Sequence, residues 1–247
     1  MNKEFEYKAI DKEGMETLEV VAEAKNFNTW MYETIHPFCE GNILEIGSGI
    51  GNISIEFLKE NKQISLTDLR ENYCSILRNK FNSFSNLQAV LQMDIIDPQF
   101  DQKHADKFNT YDSIYALNIV EHVKDDNLAI ANCKKLLKPG GKLTILVPAY
   151  QALYNSFDKE LEHYKRYTQQ SLNELLTNNN LNIIHQQYYN FVGIFGWWFS
   201  GNILRKKTIP GGQMKLYNQL VPLIKIMDKI VLNKAGLSVI SVGQKEI

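Results

Sequence analysis

Proline and glycine are scarce in this 247-residue chain, at 6 and 14. That is below the usual share of the pair and excludes collagen-like, low-complexity and disordered chains. A dominant charge sign is also missing: 27 Lys and Arg stand against 28 Asp and Glu, a net of −1. This argues against a nucleic-acid coat or an acidic tail. The three cysteines, Cys39, Cys74 and Cys133, are widely spaced, odd in number and form no CxxC pair, so neither a disulfide framework nor a zinc site is expected. A reducing, cytoplasmic location is the default. The opening MNKEFEYKAIDKEG has no apolar signal core, and the longest apolar run, Phe191 to Leu204, is too short and too broken by glycine to span a bilayer. What is present is 44% hydrophobic and 22% charged sequence, enough to fill one large core.

From about Gly41, short β-rich runs alternate with helical patterns. Residues 42–47, 63–69, 87–95, 111–120, 142–149 and 181–190 read as strands, and 51–60, 71–80, 125–137 and 169–178 as helices. Apolar spacing of three or four residues carries the helices, as in Ile130, Cys133 and Leu137. Pro139-Gly140-Gly141 is expected to stop the helix before it. Such alternation implies an α/β, doubly wound, mostly parallel sheet, and LTILV at 143–147 is apolar on both sides, as double coverage requires. A last strand, Leu237 to Gln244, follows a segment too long for a simple crossover. The expected organisation is one domain over 1–247. Residues 1–40 form a helical extension, 41–190 the core, 191–236 an inserted helical cap and 237–247 the final strand, seventh of the sheet.

Strand one runs through Glu45-Ile46-Gly47-Ser48-Gly49-Ile50-Gly51 directly into a helix. Glycines at alternate positions leave bare backbone for a ligand at the carboxyl edge of the sheet. The spacing is GxGxG, which departs from the GxGxxG of dinucleotide enzymes. Glu45 would oppose a pyrophosphate but accept hydrogen bonds from an ammonium, so a zwitterionic ligand is expected. Asp68, closing the second strand, is placed to take both hydroxyls of a ribose. Asp94, ending the third, has the geometry to take an adenine amino hydrogen, with the Ile95 N–H facing a ring nitrogen.

These residues, with ILEIGSGIG, LTDL, QMDIID, YDSIYALNIVEHV and LLKPGGKLTILVP in that order over 43–147, resemble the class I S-adenosylmethionine-dependent methyltransferases. The resemblance implies the Rossmann-like methyltransferase fold with an antiparallel last strand. It implies S-adenosyl-L-methionine as cofactor, with Glu45, Gly47, Ser48, Gly49 and Gly51 around its methionine part, Asp68 and Leu69 at the ribose, Asp94 and Ile95 at the adenine, and Asn118 near the donor. Methyl transfer leaves a neutral thioether, so positioning can supply up to ~7–11 kcal/mol and a base a further factor on the order of 10²–10⁴ for a hydroxyl acceptor.

His122, just past strand four, is one candidate base, with a donor-side or structural role as the competing reading. Some quinone O-methyltransferases carry Glu-x-x-Glu-His here and are thought to hold a divalent metal. Asn118 stands at the first of those positions, and no metal is expected. The stretch from Asp158 through His163 to Arg166-Tyr167-Thr168 resembles a bacterial methyltransferase subgroup often met near glycosyltransferase or polysaccharide genes. Tyr150, Asp158 and Arg166 are candidate acceptor contacts and His163 a second candidate base. The alternative is that Asp158 and Arg166 form an ion pair locking the segment and that Tyr167 is core.

The aromatic run 191–199 with Arg205-Lys206-Lys207 reads either as the buried face of the cap or as an acceptor channel or membrane-resting patch, and the amphipathic stretch Leu216 to Leu232 fits both. Trp30 and Tyr32 read as lid or core. The expected function is methyl transfer to a small-molecule or saccharide-type acceptor at oxygen. No Asn/Asp-Pro-Pro-Tyr/Phe motif follows strand four, and no dense basic–aromatic run suggests nucleic acid. The rival readings are a nicotinamide-dependent oxidoreductase and a non-catalytic adenosylmethionine-binding accessory protein at a membrane.

Overall fold

The computed structural model describes residues 12–206 and 211–247. Residues 1–11 of the extension and Lys207 of the basic triplet lie outside them. In chain order the elements are α1 (Lys12–Ala22), α2 (Lys25–Ile35), β1 (Ile43–Ile46), α3 (Ser54–Lys59), β2 (Ile64–Asp68), α4 (Glu71–Phe81), β3 (Leu87–Gln92), α5 (Phe100–His104), β4 (Tyr111–Leu117), α6 (Asp126–Leu136), β5 (Leu137–Pro148), α7 (Ser156–Glu160), α8 (Gln169–Asn178), β6 (Leu181–Tyr189), α9 (Gly193–Trp198), α10 (Gly211–Ile230) and β7 (Ser238–Lys245).

The seven strands lie in the order β3-β2-β1-β4-β5-β7-β6, and β7 alone runs antiparallel to its neighbours. Successive residues of each central strand serve opposite faces. Leu44, Ile114 and Ile145 join Cys133, Leu172 and Leu176 on one side, while Ile43, Tyr115, Leu146 and Ile240 join Ile35, Phe57 and Leu77 on the other. Both faces are therefore dry, which is the condition for a parallel centre. Helix starts are set locally: the Asp125 carboxylate accepts the Leu128 N–H, and Thr168 and Ser171 form a reciprocal cap for α8.

Three boundaries differ from the sequence-based expectation. Helix α6 stops at Leu136 and β5 begins at once, so Pro139 and Gly140 lie within a strand and are not a helix stop. Lys138, preceding proline, is held extended. The ladder to β4 jumps from Tyr111↔Leu137 to Ser113↔Lys142, and this bulge absorbs Gly140 at φ +77. Strand β4 ends at Leu117, not Val120, because Asn118 sits at φ +55 and turns the chain out of the sheet. Strand β3 ends at Gln92, so Asp94 and Ile95 lie just beyond it.

Candidate active site

One cavity of about 960 Å³ opens at the carboxyl ends of β1 to β4. Its floor is the glycine loop. Gly47 sits at φ +71, where any side chain would be strained, and a Cβ there would displace the Ile119 side chain, 2.1 Å away. The Ser48 N–H donates to the Thr67 carbonyl at 2.7 Å, tying the loop to β2. Gly51 does not line the cavity: a Cβ there would meet Phe81 at 2.4 Å, so its task is close packing on α4.

Glu45, Asp68, Leu69, Asp94, Ile95 and Asn118 all line this cavity, as do Gly47, Ser48 and Gly49. Asp68 is buried, and its two oxygens accept the N–H groups of Gly49 at 3.0 Å and Arg70 at 2.9 Å, so it braces the loop as well as facing the cavity. Asp94 takes the Ile96 N–H at 2.9 Å in a tight local turn. Glu45 is buried and accepts a hydrogen bond from the Ser54 hydroxyl. Burial raises its carboxyl to about 7, against the opposing effect of Ser54. A cation brought into the cavity would reverse that shift.

Past β4, Glu121, His122 and His163 form a compact group whose potential ligand atoms lie within 4.8 Å of one another. The His122 and His163 rings meet edge to face at 4.6 Å. Glu121 is fully buried, neither of its carboxylate oxygens has a hydrogen-bond partner, and burial raises it to about 8. Confinement in the protein and the neighbouring His163 and Arg70 hold His122 well below the usual imidazole range, although its ring faces the cavity. Burial likewise lowers His163, whose Nδ1 lies 2.8 Å from Asp158 Oδ1. Among the described residues this is the one grouping with metal-ligand spacing, but the Arg166 charge acts on the same Glu121 carboxylate and opposes a dication.

The two expected acceptor contacts Tyr150 and Asp158 do not line the cavity. Tyr150, at φ 59, stacks its ring on Tyr188 at 5.0 Å between centroids. Asp158 is wholly buried: Oδ1 accepts from Arg166 Nε at 2.8 Å, and Oδ2 takes the Asn155 N–H that starts α7. Burial would raise Asp158, but His163 and Arg166 together hold it below the usual carboxylate range. Arg166 also donates to the Ala149 carbonyl at 3.0 Å and lies over the Trp197 ring at 4.8 Å. It does reach the cavity wall, so lock and contact coincide in one side chain.

Helix α1 contributes Thr17, Leu18 and Val21 to the wall and α2 contributes Phe27, Asn28 and Met31, none of which carried a sequence motif. Trp30 and Tyr32 are core residues away from the cavity, with Trp30 4.3 Å from Tyr189 between ring centroids. Residues 191–236 add Gly193, Gly196, Trp197, Ser200, Met214 and Tyr217 to the wall.

A sequence model of a methyltransferase domain matches residues 16–186, and the chain belongs to the class I S-adenosylmethionine-dependent methyltransferases. Among curated relatives, a ubiquinone biosynthesis O-methyltransferase of Xanthomonas oryzae pv. oryzae is 28% identical over 101 residues, 41% of this chain and 40% of that one. A highly reducing polyketide synthase of Aspergillus nomiae is 27% identical over 124 residues, 47% of this chain and 5% of that one. The chain thus spans less than half the length of either. Among solved structures, the Haemonchus contortus phosphoethanolamine N-methyltransferase 2 in complex with S-adenosyl-L-methionine superposes with a TM-score of 0.59 at 18% identity, covering 90% of this chain and 53% of that one. At that identity the likeness is one of fold.

Proposed function

We propose that this chain transfers the methyl group of S-adenosylmethionine to an oxygen of a small-molecule or saccharide-type acceptor, in a single unit whose 191–236 segment caps the acceptor side. When bound, the donor supplies an electrophilic methyl group on a sulfonium with a neutral leaving group. The residues fit such a ligand: buried Glu45 has no cationic partner and a raised pKa, and acids stand at the ends of adjacent strands on one wall. Glu45, Gly47, Ser48 and Gly49 would hold the amino-acid end, Asp68 and Leu69 the ribose, Asp94 and Ile95 the adenine, and Asn118 the region of the sulfur. Gly51 supports the loop from behind. The GxGxG spacing and the family match leave the nicotinamide reading without support.

The observation that carries transfer to oxygen is the orphaned Glu121 carboxyl beside the cavity-facing His122. An imidazole held neutral takes the hydroxyl proton, and an ionised Glu121 stabilises the resulting imidazolium. Fixed through Nδ1 by Asp158, His163 holds its ring edge to face with that of His122. Glu121 ionises only toward about pH 8, so kcat with a hydroxyl acceptor should rise through that value. Glu121→Gln should flatten the profile, and His122→Ala should lower kcat by on the order of 10²-fold or more with donor affinity kept. Full turnover in both variants would remove the base assignment. Tight donor binding in calorimetry without methyl transfer to any component of a cell extract would favour the accessory reading.

A further inference from the structure

Twelve of the fifteen exposed large hydrophobic residues recorded for the described chain lie between Phe195 and Leu232. They concentrate on α9, the π-helical turn Phe199–Ile203 that continues it, and α10. Helix α10 is apolar on two sides. Met214, Val221 and Ile224 are buried, whereas Leu216, Leu220, Leu223, Met227 and Ile230, spaced four, three, four and three residues apart, form a stripe turned away from them. Leu223 is 62% and Ile230 66% exposed. A helix of 20 residues is about 30 Å long, so the outer stripe is extended and not an isolated apolar residue. Phe195 and Trp198 on α9 and Phe199 on the turn after it are exposed as well, while the adjacent Trp197 and Ser200 line the cavity. One helical layer therefore separates the cavity from this face.

Charge identifies what covers it. Residues 191–236 hold seven Lys and Arg and a single acid, in a chain whose net charge is −1, so the rest of the chain is net negative. That acid, Asp228, is buried and accepts the Asn190 and Phe191 N–H groups at 2.6 and 2.7 Å. Lys225 is occupied by Glu33, but Arg205, Lys215 and Lys229 are exposed, with no acid in the segment to offset them. A second copy packed through the same face would bring like charges together. An anionic bilayer would match them, and exposed aromatic and aliphatic side chains in one segment with exposed cations are the composition of a helix lying in a membrane interface. Among the described residues no helix is long and apolar enough to cross a membrane.

We infer that the outer face of α9 and α10 docks this protein on an anionic lipid surface, where its cavity meets an acceptor held at that surface. The second half rests on the methyl-transfer reading and the first does not. The test is sedimentation of the full chain with phosphatidylcholine vesicles, with and without phosphatidylglycerol, and gel filtration and donor calorimetry run alongside. Binding is expected with phosphatidylglycerol and should weaken as salt is raised. Lys215→Gln and Lys229→Gln should each lower partitioning about fivefold, equivalent to about 1 kcal/mol per charge. Leu223→Glu with Ile230→Glu should abolish it at an unchanged thermal midpoint and donor affinity.

The inference is overturned if neither vesicle binds the chain, or if the double glutamate variant turns a dimer into a monomer without changing sedimentation, which would make a second copy the occupant. Vesicle binding without donor binding would overturn methyl transfer and support docking.

Discussion

At the scale of single residues, the site is built from carboxyls whose surroundings differ. Asp68 accepts two backbone N–H groups, whereas Glu45 has a serine hydroxyl and Glu121 no hydrogen-bond partner at all. Replacing Asp68 by Asn should therefore weaken both loop and ligand, and calorimetry should show donor affinity falling by at least about tenfold, equivalent to about 1.4 kcal/mol. The two glutamates leave a trace in stability. Groups whose carboxyls are raised on folding favour the folded state at low pH and lose that contribution as pH climbs through the folded value, about 7 for Glu45 and about 8 for Glu121. His122 and His163, lowered on folding, act oppositely, but only below the free imidazole value of 6.5. Between about pH 6.5 and 8 the donor-free protein should thus lose stability as pH rises, and Glu121→Gln should remove much of the slope in thermal melts.

At the scale of elements, the segment between β5 and α8 is held by one buried constellation. Asp158 binds both His163 and Arg166, and Arg166 and Tyr167 tie the segment to Ala149 and Asp126. Removing one member of a buried ion pair strands the other charge, which costs about 3–5 kcal/mol. Arg166→Ala should show that loss in urea unfolding, with activity falling in step; a large loss of activity at unchanged stability would instead make Arg166 chiefly a ligand contact.

The sequence showed this segment's residues but left its geometry open, because a lock and an anion clamp use the same arginine. Local spacing was enough for the glycine loop and for the acids at the ends of β1 and β2, each fixed by its own strand. It was not enough for the start of β5, where Pro-Gly-Gly has the composition of a stop and only the bulge against β4 makes room for a strand. Nor could it show that Glu121 lacks a partner, since that depends on His163 and Arg166 arriving from a distant segment.

At the scale of the whole molecule, alternation of strand and helix made the sheet legible, and the two dry faces follow from it. The walls of the cavity were less legible. Helices α1 and α2 carry no motif, and α2 buries Trp30, Tyr32 and Ile35 in the core while Phe27, Asn28 and Met31 line the cavity. Which side of α10 faces inward is likewise decided by α2 and the cavity, because an apolar pattern on both sides gives no preference of its own.

The position of β7 has a bearing on how the chain is made. It is the seventh strand in order of synthesis, yet it stands between β5 and β6 and supplies partners to both along nearly its whole length. Until the ribosome has released residues 238–245, two strand edges already synthesised stay unzipped, and neither can pair with the other in the native arrangement. Such open edges template association between nascent chains. A transcript interrupted before Ser238 should therefore yield aggregate and not a shortened folded chain, even though β1 to β4, whose ends line the cavity, are all complete by then.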